Sequence, residues 1–370
     1  CSRLGIRPVL GVDIAVEATQ AARVHPDVQA RTPARGGRWI DETRPRVLLL
    51  ATGSRGWASL CRLVSAAHIG DHTARGEPWV PWSALREHSE GIVVILGADS
   101  EVGRYLADER ATLAEAATRP WRAVFDRYLA IGVTSHRQLG FPLRRRHRYS
   151  TATAARMLGW AREQRLPAVV TNAVRYAHPD QAGIAEVLDA SRLLVPLSSP
   201  RLERQQGAHA YVKSGQELAE IAAEIAHASG GQDERGGQRL LEDTWHLAQY
   251  CALDSGRDLG LGEVFVPELD VLLGREIPDP VAEAATLLRH RCAAAIPDRY
   301  TKDERSQAEH RLDAELRTIT RLGFSGYFLT VAEVVDMVRD RGIRVAARGS
   351  GAGSLVTHLL GISGVDPIRH

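Results

Sequence analysis

The residues with the clearest chemical potential stand in one run, Arg348-Gly349-Ser350-Gly351-Ala352-Gly353-Ser354. The apolar stretch after it reads as the start of a helix. The first N–H groups of a helix have no partner within it, and the helix dipole adds partial positive charge there, so an anion is favoured. Arg348 contributes a permanent positive charge in a planar fork suited to phosphate oxygens. Together these residues describe a cradle for a triphosphate. It is not the phosphate loop of the NTPases, which needs GxxxxGK(S/T), because no lysine follows Gly353. The dinucleotide fingerprint GxGxxG is absent as well. From the turn alone a second reading stays open, in which the glycines serve only tight packing.

The elements that must hold this run are legible around it. An apolar-faced helix with Phe328, Val331, Val335 and Val338 on one stripe precedes it, and a short strand joins that helix to Arg348. Leu312, Leu316 and Ile319 form an earlier core stripe. Toward the N-terminus, Val47 to Ala51, Ile92 to Leu96 and Ala168 to Thr171 are short β-rich runs. Helical patterns follow them at Gly56 to His68, Glu101 to Ala117 and Gln181 to Leu194, and Thr151 to Gln164 is a helix before a strand. This alternation predicts parallel strands in an α/β layer or barrel. Ser214 and Glu217 fit a capping box for a helix reaching about His227. Ser229 to Gln238 reads as a connector, a domain boundary falls near Ser255 to Leu261, and the chain is helical after Pro278.

A length of 370 residues predicts about two domains. The net charge of +2 does not announce nucleic acid, and Lys213 and Lys302 are the only lysines. Cys1, Cys61, Cys251 and Cys292 show no CxxC spacing, which argues against structural zinc and a disulfide framework. No apolar run reaches the ~18 residues of a membrane span. No signal peptide is visible, and both ends read as cut within domains, so an internal fragment is expected.

The stretches GFSGYFLTVAEVV, RGIRVAARGSGAGSLV and LLGISGVDPI resemble the start of the palm in the bacterial C-family replicative DNA polymerases. These are the DNA polymerase III alpha subunits, with an error-prone branch. Where that family carries PGRGS, this sequence has AARGS, Ala346 to Ser350. Leu259 to Glu268 (LGLGEVFVPE) resembles the segment leading into the palm. Gly5 to Glu17, Val47 to His68 and Leu166 to Asp180 resemble, in the expected order, pieces of the family's N-terminal PHP domain. The GVD and AARGS spellings are nearer the error-prone branch. The resemblance implies an α/β fold in two parts. Residues 1–257 would form an incomplete PHP-type (β/α) barrel, truncated at its N-terminus, with a helical connector. Residues 258–370 would form the N-terminal, mostly helical part of a polymerase-beta-like palm.

The implied activity is template-directed nucleotidyl transfer, in which a primer 3′-hydroxyl attacks the α-phosphorus of a dNTP and pyrophosphate leaves. Two magnesium ions would be held by a D-x-D pair, whose carboxylates share one strand face. No D-x-D occurs in this sequence; the resemblance puts it beyond His370, so the isolated chain is expected to be inactive. Gly349 and Ser350 match the family's phosphate contact, with Arg348 supporting them and Gly351, Gly353 and Ser354 completing the nucleotide-binding set. Asp366, in a DP turn, reads as a turn or cap residue. The implied partners are primer–template DNA and dNTPs, with a sliding clamp and other replication or repair subunits, in the cytoplasm and away from membranes.

The family's active PHP domains bind metal ions through His, Asp, Glu and Cys. Here the HxH motif is absent, and the family's TN-D-x-H reads Thr171-Asn172-Ala173-Val174-Arg175. Alanine has no donor atom, and arginine stays protonated. Asp13 is a vestigial candidate ligand, and His68, Asp71 and His72 have ligand spacing without a third partner. The domain is therefore expected to be metal-free. The basic run Arg144 to Arg148 beside Tyr149 could meet phosphates but reads first as a solvated loop. Two other classes stay in view: a stand-alone PHP-type phosphoesterase and a non-catalytic DNA-binding or scaffold module.

Overall fold

A computed structural model describes residues 4–19, 32–34, 38–40, 44–69, 78–138, 148–199, 202, 206–230 and 235–370. The chain divides into two units, Cys1–Gly262 and Glu263–His370.

The first unit is mixed α/β. Its five-stranded sheet runs β1 (Gly11–Ala15), β4 (Arg46–Ala51), β5 (Ile92–Leu96), β6 (Leu129–Val133) and β7 (Ala168–Val170), paired in that order and not closed. A separate antiparallel pair joins β2 (Thr32–Ala34) to β3 (Arg38–Ile40). Eight helices are described around the sheet: α1 (Gly53–Ile69), α2 (Trp82–Glu87), α3 (Glu101–Ala107), α4 (Ala111–Phe125), α5 (Thr151–Glu163), α6 (Ala182–Leu193), α7 (Gly215–Ala228) and α8 (Gly236–Tyr250). Every residue of β5 and β6 is buried, which is why both read as continuous apolar runs rather than alternating ones. The capping box at Ser214 and Glu217 starts α7.

Two sequence expectations change. The strands are parallel only from β5 to β7; β4 is antiparallel to β5. The connection from β4 to β5 makes two passes instead of one. After α1, Val80 bridges to Val16 beside the start of β4, and α2 then brings the chain back to Gly91, whose carbonyl accepts from Thr52 just past the end of β4. The helix expected over Glu101 to Ala117 is α3 and the start of α4, broken at Glu109, which has φ of 60°. Arg156 from α5 holds the break by donating to the Leu106 carbonyl and the Glu109 carboxylate, a tertiary contact with no local signature.

The second unit is helical among its described residues: α9 (Leu269–Leu273), α10 (Pro280–Arg299), α11 (Lys302–Arg321), α12 (Ser325–Asp340) and α13 (Leu355–Leu359). Asp279 caps α10 with Pro280 at its first position, and Thr301 with Glu304 closes a capping box on α11. Leu288, Cys292, Ile296, Leu312, Leu316 and all five residues of α13 are buried, so a helix of barely more than one turn is held by packing rather than by propensity. Of the expected α12 stripe Val335 is buried and Phe328, Val331 and Val338 are half-buried, while Leu329 and Ala332 beside them are buried. The expected strand before Arg348 does not form; residues 343–348 are irregular and mostly exposed. A strand needs a ladder partner for its N–H and C=O groups, and no described residue of this unit is in a strand.

Candidate functional site

Gly342, with φ of 72°, ends α12, and its N–H donates to the Arg339 carbonyl. The chain then reaches Gly349, whose φ of 80° and ψ of −170° belong to a region open essentially to glycine alone. Ser350–Gly353 form one short 3-10 turn, and Ser354 caps α13. Four of the turn's carbonyls are bonded within the protein. Gly349 O accepts from Ala352 N at 3.1 Å and Gly351 O from Thr357 Oγ1 at 2.7 Å. Ala352 O accepts from Ser363 Oγ at 2.7 Å and Gly353 O from Arg311 Nη2 at 3.0 Å. The N–H groups of Gly349, Ser350 and Gly351 have no partner among the described residues. All three residues are exposed, as is Arg348, which makes no ion pair among the described residues. A Cβ at Gly349, Gly351 or Gly353 would meet no atom within 4 Å.

The α13 end of the run is occupied. Glu315 of α11 accepts from Ser354 Oγ at 2.7 Å, from Leu355 N at 3.0 Å and from Val356 N at 3.1 Å. Arg311, one turn earlier, donates to the same carboxylate at 3.1 Å. Burial works against the Glu315 charge, but these hydrogen bonds outweigh it and hold the carboxyl below its ordinary range. The Ser354 hydroxyl is thus engaged inside the fold, whereas Arg348, Gly349, Ser350 and Gly351 face solvent. Asp366 accepts from Ile368 N and from the Tyr300 hydroxyl at 2.8 Å, tying the segment after α13 to the end of α10.

In the first unit, polar side chains gather where β5, β6 and β7 end. Beyond β6, Thr134 meets Thr171 at 2.6 Å, and His136 Nε2 lies 2.8 Å from the Asn172 carbonyl oxygen. The His136 ring stacks on Tyr149, whose hydroxyl donates to Asp99 beyond β5. Lys213 donates to Asn172 Oδ1 at 2.9 Å and to the His209 carbonyl, and its ammonium lies 4.3 Å from the centre of the Tyr211 ring. Burial lowers the pKa values of Lys213, His136 and His209. Arg175 forms a two-pronged pair with buried Asp189, both bonds at 2.8 Å. Arg137 pairs with Glu224.

The residues weighed as metal ligands are not brought together. Asp13 lies exposed on β1 in a 2.8 Å pair with Arg46, His68 is exposed on α1, and Asp71 and His72 lie outside the described residues. Among the described residues no three His, Cys, Asp or Glu side chains form a group able to hold a metal ion. Of the basic run, 144–147 lie outside the described residues and Arg148 pairs with Asp99. Sequence reasoning passed over Glu315, Arg311 and Lys213. The rarity of lysine was a usable signal for Lys213; the pairing of α11 with α13 that gives Glu315 its place has none.

Comparison with known proteins agrees with this layout. The family described as "PHP domain" matches residues 1–136, and the "Bacterial DNA polymerase III alpha NTPase domain" matches residues 286–370, which include the glycine turn. Two segments of the chain are thus similar to domains found in the DNA polymerase III alpha subunits. It is 28% identical over 370 residues to the DNA polymerase III subunit alpha of Pasteurella multocida, covering 99% of this chain and 28% of that protein. It is 30% identical over 353 residues to the error-prone DNA polymerase of Symbiobacterium thermophilum, covering 91% of this chain and 29% of that protein. The Escherichia coli K12 alpha subunit is 27% identical over 369 residues, covering 99% and 28%. The chain thus spans less than a third of the length of these curated relatives. No helix among the described residues is long and apolar enough to cross a membrane.

Proposed function

We propose that this chain supplies the triphosphate-receiving turn of a template-directed DNA polymerase acting on primer–template DNA and dNTPs. The observation that supports it is the turn's construction. Four carbonyls are bonded within the protein, Arg348 and the three residues whose N–H groups lack partners among the described residues are exposed, and the glycines open onto empty space. Packing does not require glycine at Gly351 or Gly353, and neither has positive φ. Close approach of a ligand to the backbone does require it. Arg348 provides charge, and the Gly349–Gly351 amides and the Ser350 hydroxyl provide donors for phosphate oxygens. Such fixed donors stabilise negative charge as pyrophosphate leaves.

The reaction also needs carboxylates for magnesium. The residues present do not fit that cofactor: no group of three candidate ligands exists among the described residues, and the sequence has no D-x-D. What this chain does is bind and orient the triphosphate. Its PHP unit acts as scaffold, because Lys213 and Arg175 fill the strand ends with internal pairs.

Titration of inorganic tripolyphosphate into the purified chain by calorimetry tests the turn. A charge-assisted hydrogen bond is worth about 1.5–3 kcal/mol, so Arg348→Ala should weaken binding by roughly one to two powers of ten. Ser350→Ala should cost about tenfold or less. Unchanged affinity in Arg348→Ala would contradict the proposal.

A further inference from the structure

We propose that Glu315 is the positioning residue of the phosphate turn. Its carboxylate takes the N-terminal amides of α13, withdraws that helix end from the incoming anion, and leaves the Gly349–Gly351 amides as the receiving surface. This rests on the reading of the turn as a triphosphate site.

The geometry carries the inference. A helix N-terminus is the usual seat for an anion, and here a carboxylate already sits in it. Oε1 accepts from Leu355 N, and Oε2 accepts from Val356 N and Ser354 Oγ, all between 2.7 and 3.1 Å. A phosphate group brought to the same amides would compete with this carboxylate for their hydrogens and be repelled by its charge. Hydrogen bonds from the protein keep that charge in place at neutral pH.

Glu315 is itself rigidly placed. It projects from α11 beside buried Leu312, Leu316 and Ile319, so its backbone cannot drift from α13. Arg311 completes the clamp, with its guanidinium donating to Glu315 at 3.1 Å, to Gly353 O at 3.0 Å and to Pro367 O at 2.9 Å. One arginine therefore grips the chain on both sides of α13, and one carboxylate grips its first turn. What stays free is the opposite arm. Gly349, Ser350 and Gly351 are exposed residues whose amides have no partner among the described residues, next to exposed Arg348.

The test reads individual amides. The chain is labelled with 15N-glycine, 15N-leucine and 15N-valine, and TROSY spectra are followed as inorganic tripolyphosphate is added. In the wild-type chain the Gly349 and Gly351 amides should shift with tripolyphosphate, and those of Leu355 and Val356 should stay still. In Glu315→Gln, which keeps the shape and removes the charge, the Leu355 and Val356 amides should begin to respond. A wholly structural role for Glu315 would lower the melting temperature of that variant without making these two amides responsive, and so would overturn the proposal. Wild-type Leu355 and Val356 amides that shift along with Gly349 would overturn it too, while leaving the triphosphate reading intact. If no amide of the turn responds in either chain, the triphosphate reading itself fails and takes this one with it. The wild-type spectra decide the matter even if the variant does not fold.

Discussion

A Cβ on Gly56 would stand 2.1 Å from the Gly91 carbonyl oxygen, and one on Gly103 would stand 2.2 Å from Gly97 O. On Gly349, Gly351 or Gly353 it would meet nothing within 4 Å. The first two glycines let backbones touch inside the PHP unit; Gly349 is required by its positive φ, and Gly351 and Gly353 keep a surface clear. The charges differ in the same sense. At the ends of β6 and β7 the cations Lys213, Arg175 and Arg137 are all bonded to protein oxygens, whereas Arg348 beside the turn pairs with no described residue. One region has spent its polar groups on itself, and the other holds several in reserve. A protein region that serves as scaffold can afford no unpaired buried charge, while a binding turn must keep donors for its ligand.

The contrast can be broken at its strongest point first. Gly56→Ala forces backbone apart between α1 and the start of β5, and should destabilise the first unit by about 3 kcal/mol. Urea denaturation checks it; a loss under about 1 kcal/mol would mean that the close approach is not a packing requirement.

Arg175→Ala comes next. It leaves the carboxylate of Asp189, 7% exposed, without its two-pronged partner. Breaking a fully buried pair costs about 3–5 kcal/mol, and because Arg175 is partly exposed the expected loss is about 2 kcal/mol. If Arg175→Ala instead left stability unchanged, the internal-pair account of the strand ends would be wrong.

A smaller effect lies in pH. Burial lowers the His136 pKa below the usual imidazole value of 6.5. The unfolded chain therefore takes up the proton first as pH falls, so this contribution is present above about pH 6.5 and is lost below it. Glu304 behaves similarly in another window. Hydrogen bonds from Arg369 and Thr301 bring it to about 2, so its contribution is full above the usual 4.5 and fades between 4.5 and 2. Thermal stability should fall less steeply from pH 7 to 5 in His136→Gln than in wild type, and Glu304→Gln should flatten only the limb from pH 4.5 to 2. Identical slopes in His136→Gln and wild type would show that the imidazole is not held neutral by burial.

Much of this contrast was legible in the amino-acid sequence, and the rest was not for physical reasons. Apolar β-branched runs placed β4, β5 and β7, and the Ser214–Glu217 spacing marked α7, because those signals are local. The Arg348–Ser354 run offered a phosphate cradle by residue type, with glycines that serve packing as the open alternative. The antiparallel turn of β4 against β5 was hidden, since it depends on a second helical pass whose length matters more than its pattern. β6 was missed because Leu-Ala-Ile-Gly-Val carries no turn residues to bound it. The helix N-terminus that seemed ready for an anion is filled by Glu315, 39 residues upstream of Ser354, and only the packing of α11 on α13 reveals it.

The central claim, that Gly351 and Gly353 of the turn serve a ligand rather than the fold, is tested most directly with Gly351→Val. Thermal unfolding and tripolyphosphate titration are run on the same preparation beside wild type. The side chain enters open space at a residue without positive φ, so stability should stay within about 0.5 kcal/mol of wild type. Tripolyphosphate affinity should fall at least about tenfold, since the β-branched side chain covers the amides that the phosphate needs to reach. A variant that binds tripolyphosphate as wild type does, or one that loses its fold instead of its affinity, would contradict the account.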